Sequence, residues 1–293
     1  MKPHVYHVNL KACGYWAALV DHHPLIVSIL GADLYDDARW DYAQHRLAVH
    51  LFRRAVLVTG DTPHAREVLE GWACPGARYH EIHWGVDLDL FHARATPAPC
   101  LARLPRPLFL SNRSAVPNSC LDVLLRAFAR VRRRRRCSLV LGGRVTLPET
   151  IDELQSLIRA WKIPDVHMIA DLPHEEMPGI YAAADAFVSI PYSDGTSVSV
   201  VEAMASGRPL ILSDIPANRA LIERGAAGLL TPVMDTAAVT AAMQRFIASP
   251  RLRQSMGRVN RRAAGAYDAR RAMDRMARLY DRVIAATRRT TCR

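Results

Sequence analysis

Two carboxylates, Asp194 and Glu202, flank a run of small residues, Gly195, Thr196, Ser197 and Ser199, within the stretch IPYSDGTSVSVVEAMASGRPLILSD from Ile190 to Asp214. The pattern reads as a strand end, a glycine-containing loop, a helix, a Gly-Xaa-Pro turn and a second apolar strand. Unpaired backbone N–H groups and the positive end of the dipole at such a helix start can hold an anion. Glu202, one to two turns further in, can accept hydrogen bonds from hydroxyl groups. The combination suits a phosphate joined to a sugar better than a bare phosphate.

In an open parallel sheet, ligands bind beyond the carboxyl ends of the strands. Other predicted strand ends carry Asn112 and Arg113, then Gly142-Gly143-Arg144, then Asp171-Leu172-Pro173, and finally Ser213-Asp214. Arginine at such a rim can fork onto phosphate oxygens, and paired glycines let backbone approach a ligand closely. Together they outline a basic, oxygen-rich cleft with one carboxylate near a hydroxylated ligand.

The elements that position these residues alternate along the chain. Strands are expected at 4–9, 24–30, 55–59 and 78–83, with helices at 14–20, 39–53 and 62–71; Asp61-Thr62-Pro63 reads as an N-cap followed by an early-turn proline. The proline-rich passage over 96–107 reads as a linker after a first domain over 1–95. A second series then runs through strands at 108–111, 138–142, 166–170, 186–190, 209–212 and 228–231, with helices between them, which predicts a doubly wound domain over 108–265. Three amphipathic helices close the chain, and the last, from 266, is expected to pack back towards the N-terminal domain.

Composition narrows the function classes. Half of the 293 residues are apolar, enough for two packed cores. No run approaches the ~18–20 apolar residues of a membrane span, and no charged-then-apolar leader is visible, so a cytoplasmic protein is expected. The six cysteines lack paired spacing, which argues for reduced thiols and no zinc site. Ten of the twelve histidines fall in the first third without a repeated ligand geometry, so no metal site is expected. The net charge of +11 divides into −2 over residues 1–100 and +13 over 101–293. That basic half favours phosphorylated ligands and leaves room for peripheral contact with an anionic membrane at the inner face. Nucleic acid is disfavoured because no aromatic-basic interleaving accompanies the charge. The run Arg132–Arg136 follows an amphipathic helix and reads as its solvated end.

From Leu110 to about Arg262 the chain resembles the donor domain of family 4 retaining glycosyltransferases of the GT-B fold, most specifically in SDGTSVSVVEAMASGRPLILSD. The likeness extends to YAAADAFVSIP, DIPANRALIERGAAGLL and LDVLLRAFARV, to HWGVDLDLF before the linker, and to PLIVSILGADL in the first domain. It implies an α/β, GT-B-like fold of two Rossmann-like domains with parallel sheets, the N-terminal one incomplete. The family's Glu-x7-Glu spacing survives as Asp194 to Glu202. By resemblance, Glu202 accepts from the donor ribose, Asp194 with the Gly195–Ser197 backbone holds the sugar and phosphates, and Arg113 stabilises the leaving diphosphate. Asp171-Leu172 matches the loop that reads the base. Asn112, Gly142, Gly143, Arg144, Thr196 and Ser199 join the donor site, while Gly31 and Asp33 belong to a Gly-Xaa-Asp loop on the acceptor side. The implied reaction is retaining transfer of a hexose from a UDP- or GDP-sugar to a hydroxyl of a glycan, lipid or small molecule, with no further cofactor and no metal. The competing reading is a non-catalytic nucleotide-sugar-binding protein.

The chain departs from the family in three places. A lysine common after the arginine is replaced near Ser119, with Arg144 as the substitute charge, and Leu30 stands where a polar residue is frequent. The strand–helix units that open the family's first domain have no counterpart before His4. A shortened first domain would expose a sheet edge and call for a partner subunit.

Overall fold

The computed structural model describes residues 4–10, 15–18, 24–31, 33–35, 41–72, 74, 79–143, 148–170 and 173–291. In chain order the elements begin with β1 (Tyr6–Asn9), α1 (Tyr15–Ala18), β2 (Leu25–Ser28), α2 (Tyr42–Arg54), β3 (Leu57–Gly60), α3 (His64–Gly71) and β4 (Tyr79–Glu81). They continue with β5 (Leu108–Ser111), α4 (Leu121–Arg132), β6 (Ser138–Gly143), α5 (Pro148–Ala160), β7 (Val166–Ala170), α6 (Met177–Ala183), β8 (Ala186–Ser189) and α7 (Val198–Ala205). The last are β9 (Leu210–Ser213), α8 (Pro216–Glu223), β10 (Gly228–Thr231), α9 (Thr236–Ala248), α10 (Pro250–Ala263) and α11 (Ala269–Thr291). The alternation read from the sequence is thus realised as an α/β fold with two all-parallel sheets, one of four strands and one of six.

The chain divides into two compact units. The first comprises Met1–Gly85, Ser193–Ser197 and Ala269–Arg293; the second comprises Val86–Tyr192 and Val198–Asp268. Residues 96–107, expected as a linker, pack into the second unit. Leu101 is buried in its core, and the Ala98 N–H donates to the Gly179 carbonyl at 2.9 Å. Apolar burial holds this proline-rich passage in place where composition alone reads as spacer.

The first unit has strand order β1-β2-β3-β4, every step a crossover in the same direction. Right-handed crossovers then put α1 to α3 on one face of the sheet. Leu25, Val27 and Val58 point to that face, in a core with Leu51, Phe52 and Leu69 of the helices. The alternate residues Ile26 and Leu57 point the other way, and Met276 and Leu279 of α11 cover them together with Ile82. Burying each such side chain stabilises by roughly 1.5–3 kcal/mol, so a face left bare would be costly. α2 starts where the Asp41 carboxylate accepts the Gln44 N–H at 2.7 Å, and it buries Ala48, Leu51 and Phe52 at i, i+3, i+4 spacing.

The second unit has strand order β10-β9-β8-β5-β6-β7, which reverses direction between β5 and β8. Leu108 and Leu110 of β5 face one core with Val200, Val201 and Met204 of α7, whereas Phe109 faces the other with Leu124 and Phe128 of α4. The arginine run at the end of α4 begins with Arg132, which pairs with Asp165 at 2.6 Å. Among the described residues no helix is long and apolar enough to cross a membrane.

Candidate functional site

The strand-order reversal separates the loops after β5 and β8, and an open crevice at this switch point is where doubly wound sheets take ligands. Asn112 and Arg113 follow β5 directly. Glu202 lies on α7, a helix whose residues 200 to 205 are all buried, so the helix carries the carboxylate inside at 5% exposure.

A buried carboxylate needs partners. The fully buried Tyr181 hydroxyl of α6 lies 2.8 Å from Glu202 Oε2 and 3.0 Å from the Ser199 carbonyl, and accepts from Asn112 Nδ2 at 2.8 Å. With one phenolic proton, Tyr181 donates to these two oxygens in competition. His174 Nδ1 stands 3.9 Å from Glu202 Oε1, and the imidazole packs on Phe91, whose ring also meets Tyr181 edge-on at 5.9 Å. Burial pushes the Glu202 carboxyl up from its ordinary range, while the Tyr181 hydrogen bond and His174 pull it back. Burial, followed by the adjacent Glu202 charge, raises the Tyr181 phenol.

The end of β6 comes close to the same place. Gly143 has φ +150°, and a Cβ there would lie 2.7 Å from the Arg113 carbonyl oxygen, so only glycine lets the two strand ends pass. Beside them lies an open cleft of about 130 Å³, lined by Arg113, Gly142, Gly143, Gln155, Met168 and Ile169. The Asn112 Oδ1 is buried without a hydrogen-bond partner. Ser119, where the family's lysine was expected, is 1% exposed and donates to the Ser114 carbonyl at 2.7 Å. Arg144, Asp171 and Leu172 lie outside the described residues.

The first unit holds the other predicted residues. The loop Ser193–Ser197 belongs to it, carrying Asp194, Gly195, Thr196 and Ser197. Asp194 Oδ1 accepts the Gly195 N–H at 2.9 Å, and a Cβ on Gly31, which has φ +53°, would lie 3.4 Å from the same oxygen. Asp33 Oδ2 accepts the Leu30 N–H at 3.3 Å and so closes its own turn. His83 Nδ1 accepts the Gly85 N–H at 2.9 Å, which leaves Nε2 as the donor to the Thr196 carbonyl at 3.1 Å.

The predicted residues therefore form two sets: Asn112, Arg113, Gly142, Gly143, Ser199 and Glu202 in the second unit, and Gly31, Asp33, Asp194, Gly195, Thr196 and Ser197 in the first. Sequence reasoning did not single out Tyr181, His174, His83 or Asp61. Tyr181 sits in YAAADAFVSIP, where the sequence offers only a pattern, and Asp61 in the sequence looks like a helix cap. In the structure α3 begins after Pro63 and Thr62 Oγ1 accepts the Ala65 N–H at 3.3 Å, so the Asp61 carboxylate makes no cap. Among the described residues no three His, Cys, Asp or Glu side chains are grouped to hold a metal ion.

Comparison with known proteins bears on this geometry. Residues 105–249 match the family described as "Glycosyl transferases group 1". The chain is 31% identical over 211 residues to an MMP alpha-(1->4)-mannosyltransferase of Mycolicibacterium hassiacum, covering 71% of this chain and 49% of that protein. It is 26% identical over 249 residues to a D-inositol 3-phosphate glycosyltransferase of Streptomyces avermitilis, covering 80% and 53%. The chain thus spans about half the length of these curated relatives. Its fold is similar to that of sucrose-phosphate synthase from Thermosynechococcus elongatus, with a TM-score of 0.85 at 21% identity over 96% of this chain and 74% of the other. It is likewise similar to Anabaena Alr3699/HepE in complex with UDP-glucose, with a TM-score of 0.80 at 18% identity over 94% and 78%. The two parallel sheets are those of a GT-B-like fold.

Proposed function

We propose that this chain is a glycosyltransferase that moves a hexose, with retention, from a nucleotide diphosphate sugar to a hydroxyl acceptor. The observation that carries the reading is the buried Glu202, tied through Tyr181 to Asn112 beside the switch point of the six-stranded sheet. A desolvated carboxylate there binds vicinal hydroxyls strongly because charge-assisted hydrogen bonds gain in a low-dielectric surrounding. The mannosyltransferase and inositol phosphate glycosyltransferase relatives support the transfer class, and the HepE complex supports a UDP-sugar as donor type.

Each residue then has a role. Glu202 accepts from the donor ribose, and the Gly142-Gly143 backbone admits the diphosphate beside Arg113. The guanidinium offsets the charge that develops on the diphosphate as its bond to the anomeric carbon breaks, a form of electrostatic stabilisation that is commonly a large catalytic term. Asp194 and the Gly195–Ser197 backbone hold the sugar. The new bond to the acceptor oxygen forms on the face the diphosphate leaves, and the acceptor proton passes to the departing diphosphate.

Calorimetry with UDP and GDP, followed by a transfer assay with hexose donors of each, tests the reading. Glu202→Ala is expected to weaken nucleotide affinity by about 1.5–3 kcal/mol, roughly 10- to 150-fold. Unchanged affinity and turnover in this variant refutes the site. Nucleotide binding without transfer to any acceptor favours a binding protein instead.

A further inference from the structure

Asp61 follows β3 and is 7% exposed, yet its Oδ1 has no hydrogen-bond partner. The carboxylate is pressed against the 193–197 loop. A Cβ on Gly195 would lie 2.5 Å from Asp61 Oδ2 and 2.6 Å from Oδ1, so the loop backbone rests directly on the carboxyl group. Thr196 Oγ1 donates to the Asp61 carbonyl at 2.9 Å, and His83 secures the next carbonyl, that of Thr196. Asp194, the residue that continues this loop on the other side of Gly195, is close enough for its charge to act on Asp61.

We propose that Asp61 is a positioning residue for the 193–197 loop, and that its protonation decides whether Gly195, and with it Asp194, stays seated. The groups facing the carboxyl are Asp194 from the loop, Tyr35 after β2 and Tyr79 of β4, with His83 one residue away along the loop backbone. Tyr35 and Tyr79 both hydrogen-bond Thr62, the former to its hydroxyl at 2.5 Å, and Asp33 acts on Tyr35. Burial first, and the Asp194 charge second, push its carboxyl up to about 7, against the backbone N–H groups of Gly31, Asp61 itself and Thr196. The neutral acid suits a nearly closed position beside a second carboxylate. Since the folded-state value is raised, the contribution to loop seating is complete below the free carboxyl value of 3.8, is lost progressively as pH rises to about 7, and changes no further above it.

The consequence for catalysis rests on the glycosyltransferase reading, but seating can be measured without it. Amide hydrogen exchange of Gly195 and Thr196, expressed as protection relative to the free-peptide rate, is expected to fall by up to about tenfold per pH unit as pH rises from the free carboxyl value of 3.8 to about 7, and to level off above 7, in the wild-type chain. Asp61→Asn keeps the shape without an ionisable group and is expected to hold protection level from about pH 4 to 8. Equal pH dependence in the two proteins overturns the proposal. Carbon-13 NMR of the Asp61 carboxyl in the wild-type chain decides it independently of any variant: a midpoint near 7 supports the assignment, and a midpoint below 5 overturns it. If the chain transfers sugar, the decline that loop release imposes on kcat/KM as pH rises towards about 7 is expected to be absent in Asp61→Asn. Absence of transfer by either protein counts against the glycosyltransferase reading alone, since exchange and NMR still report on the loop.

Discussion

Replacing Tyr181 by Phe removes one oxygen at the centre of the second unit's polar network and leaves the ring packing against Phe91 and Phe187 in place. Three short contacts meet at that oxygen: Asn112 Nδ2 at 2.8 Å, Glu202 Oε2 at 2.8 Å and the Ser199 carbonyl at 3.0 Å. Asn112 is half-buried, so solvent can recover part of its loss, but Glu202 is 5% exposed and its Oε2 then has no donor from Tyr181. A buried group left unsatisfied costs about 1–3 kcal/mol, more when charged, which gives about 2–4 kcal/mol at pH 8 for the pair. The pH dependence follows from the Glu202 carboxyl. Burial already raises it and the Tyr181 hydrogen bond lowers it, so the Phe variant raises it further. A raised folded-state value means that stability is lost as pH climbs through it, and the deficit is therefore larger at pH 8 than at pH 5. Guanidinium unfolding at the two pH values measures this, and UDP calorimetry on the same samples is expected to show weakened binding. A deficit below about 0.5 kcal/mol at pH 8, the size of an ordinary surface substitution, would refute the reasoning. So would a deficit independent of pH.

Two further substitutions probe the frame around the site. Gly143→Ala combines a φ of +150° with a Cβ 2.7 Å from the Arg113 oxygen and 3.2 Å from that of Asn112, both backbone atoms that cannot rotate away. It is expected to cost about 2–6 kcal/mol and to lower Tm by roughly 2–4 °C for each of these, with loss of nucleotide binding; calorimetric scanning checks it. Asn260→Ala removes a fully buried amide of α10 that accepts from the Ala227 N–H at 2.6 Å and donates to the Arg208 and Ala227 carbonyls at 2.8 and 2.9 Å. Denaturant unfolding is expected to show a loss of about 2–4 kcal/mol.

The strands and helices of the six-stranded sheet are legible from their apolar runs. β5 and β10 fall at 108–111 and 228–231, and α9 at 236–248, as the apolar runs and their flanking residues indicate. Such runs are readable because period, cap and turn chemistry are local properties of the chain. Asp235 shows this: its carboxylate accepts the Ala237 and Ala238 N–H groups, a contact three residues long. The same local logic misplaced Asp61. An Asp before Thr-Pro reads as a cap, but a loop 134 positions away in sequence rests on its carboxyl group, and Thr62 takes over the cap. Residues 96–107 likewise have the composition of a spacer, and only the hydrophobic surface they meet makes them part of a core.

By itself, then, the sequence determined the element types, the parallel α/β class and the strand ends at which chemistry could occur, because alternating apolar periods allow few other arrangements. Tertiary structure alone decided which polar groups meet inside. Tyr181 reaches Glu202 because α6 and α7 enclose the same core, and Gly143 passes Arg113 because β5 and β6 are neighbours in the sheet. Ile26 and Leu57 are covered because α11 lies on the face that same-direction crossovers leave bare. The environment of each buried carboxylate is set by such long-range neighbours, and with it the protonation of Asp61 and Glu202, since desolvation and nearby charge depend on what surrounds the group in space.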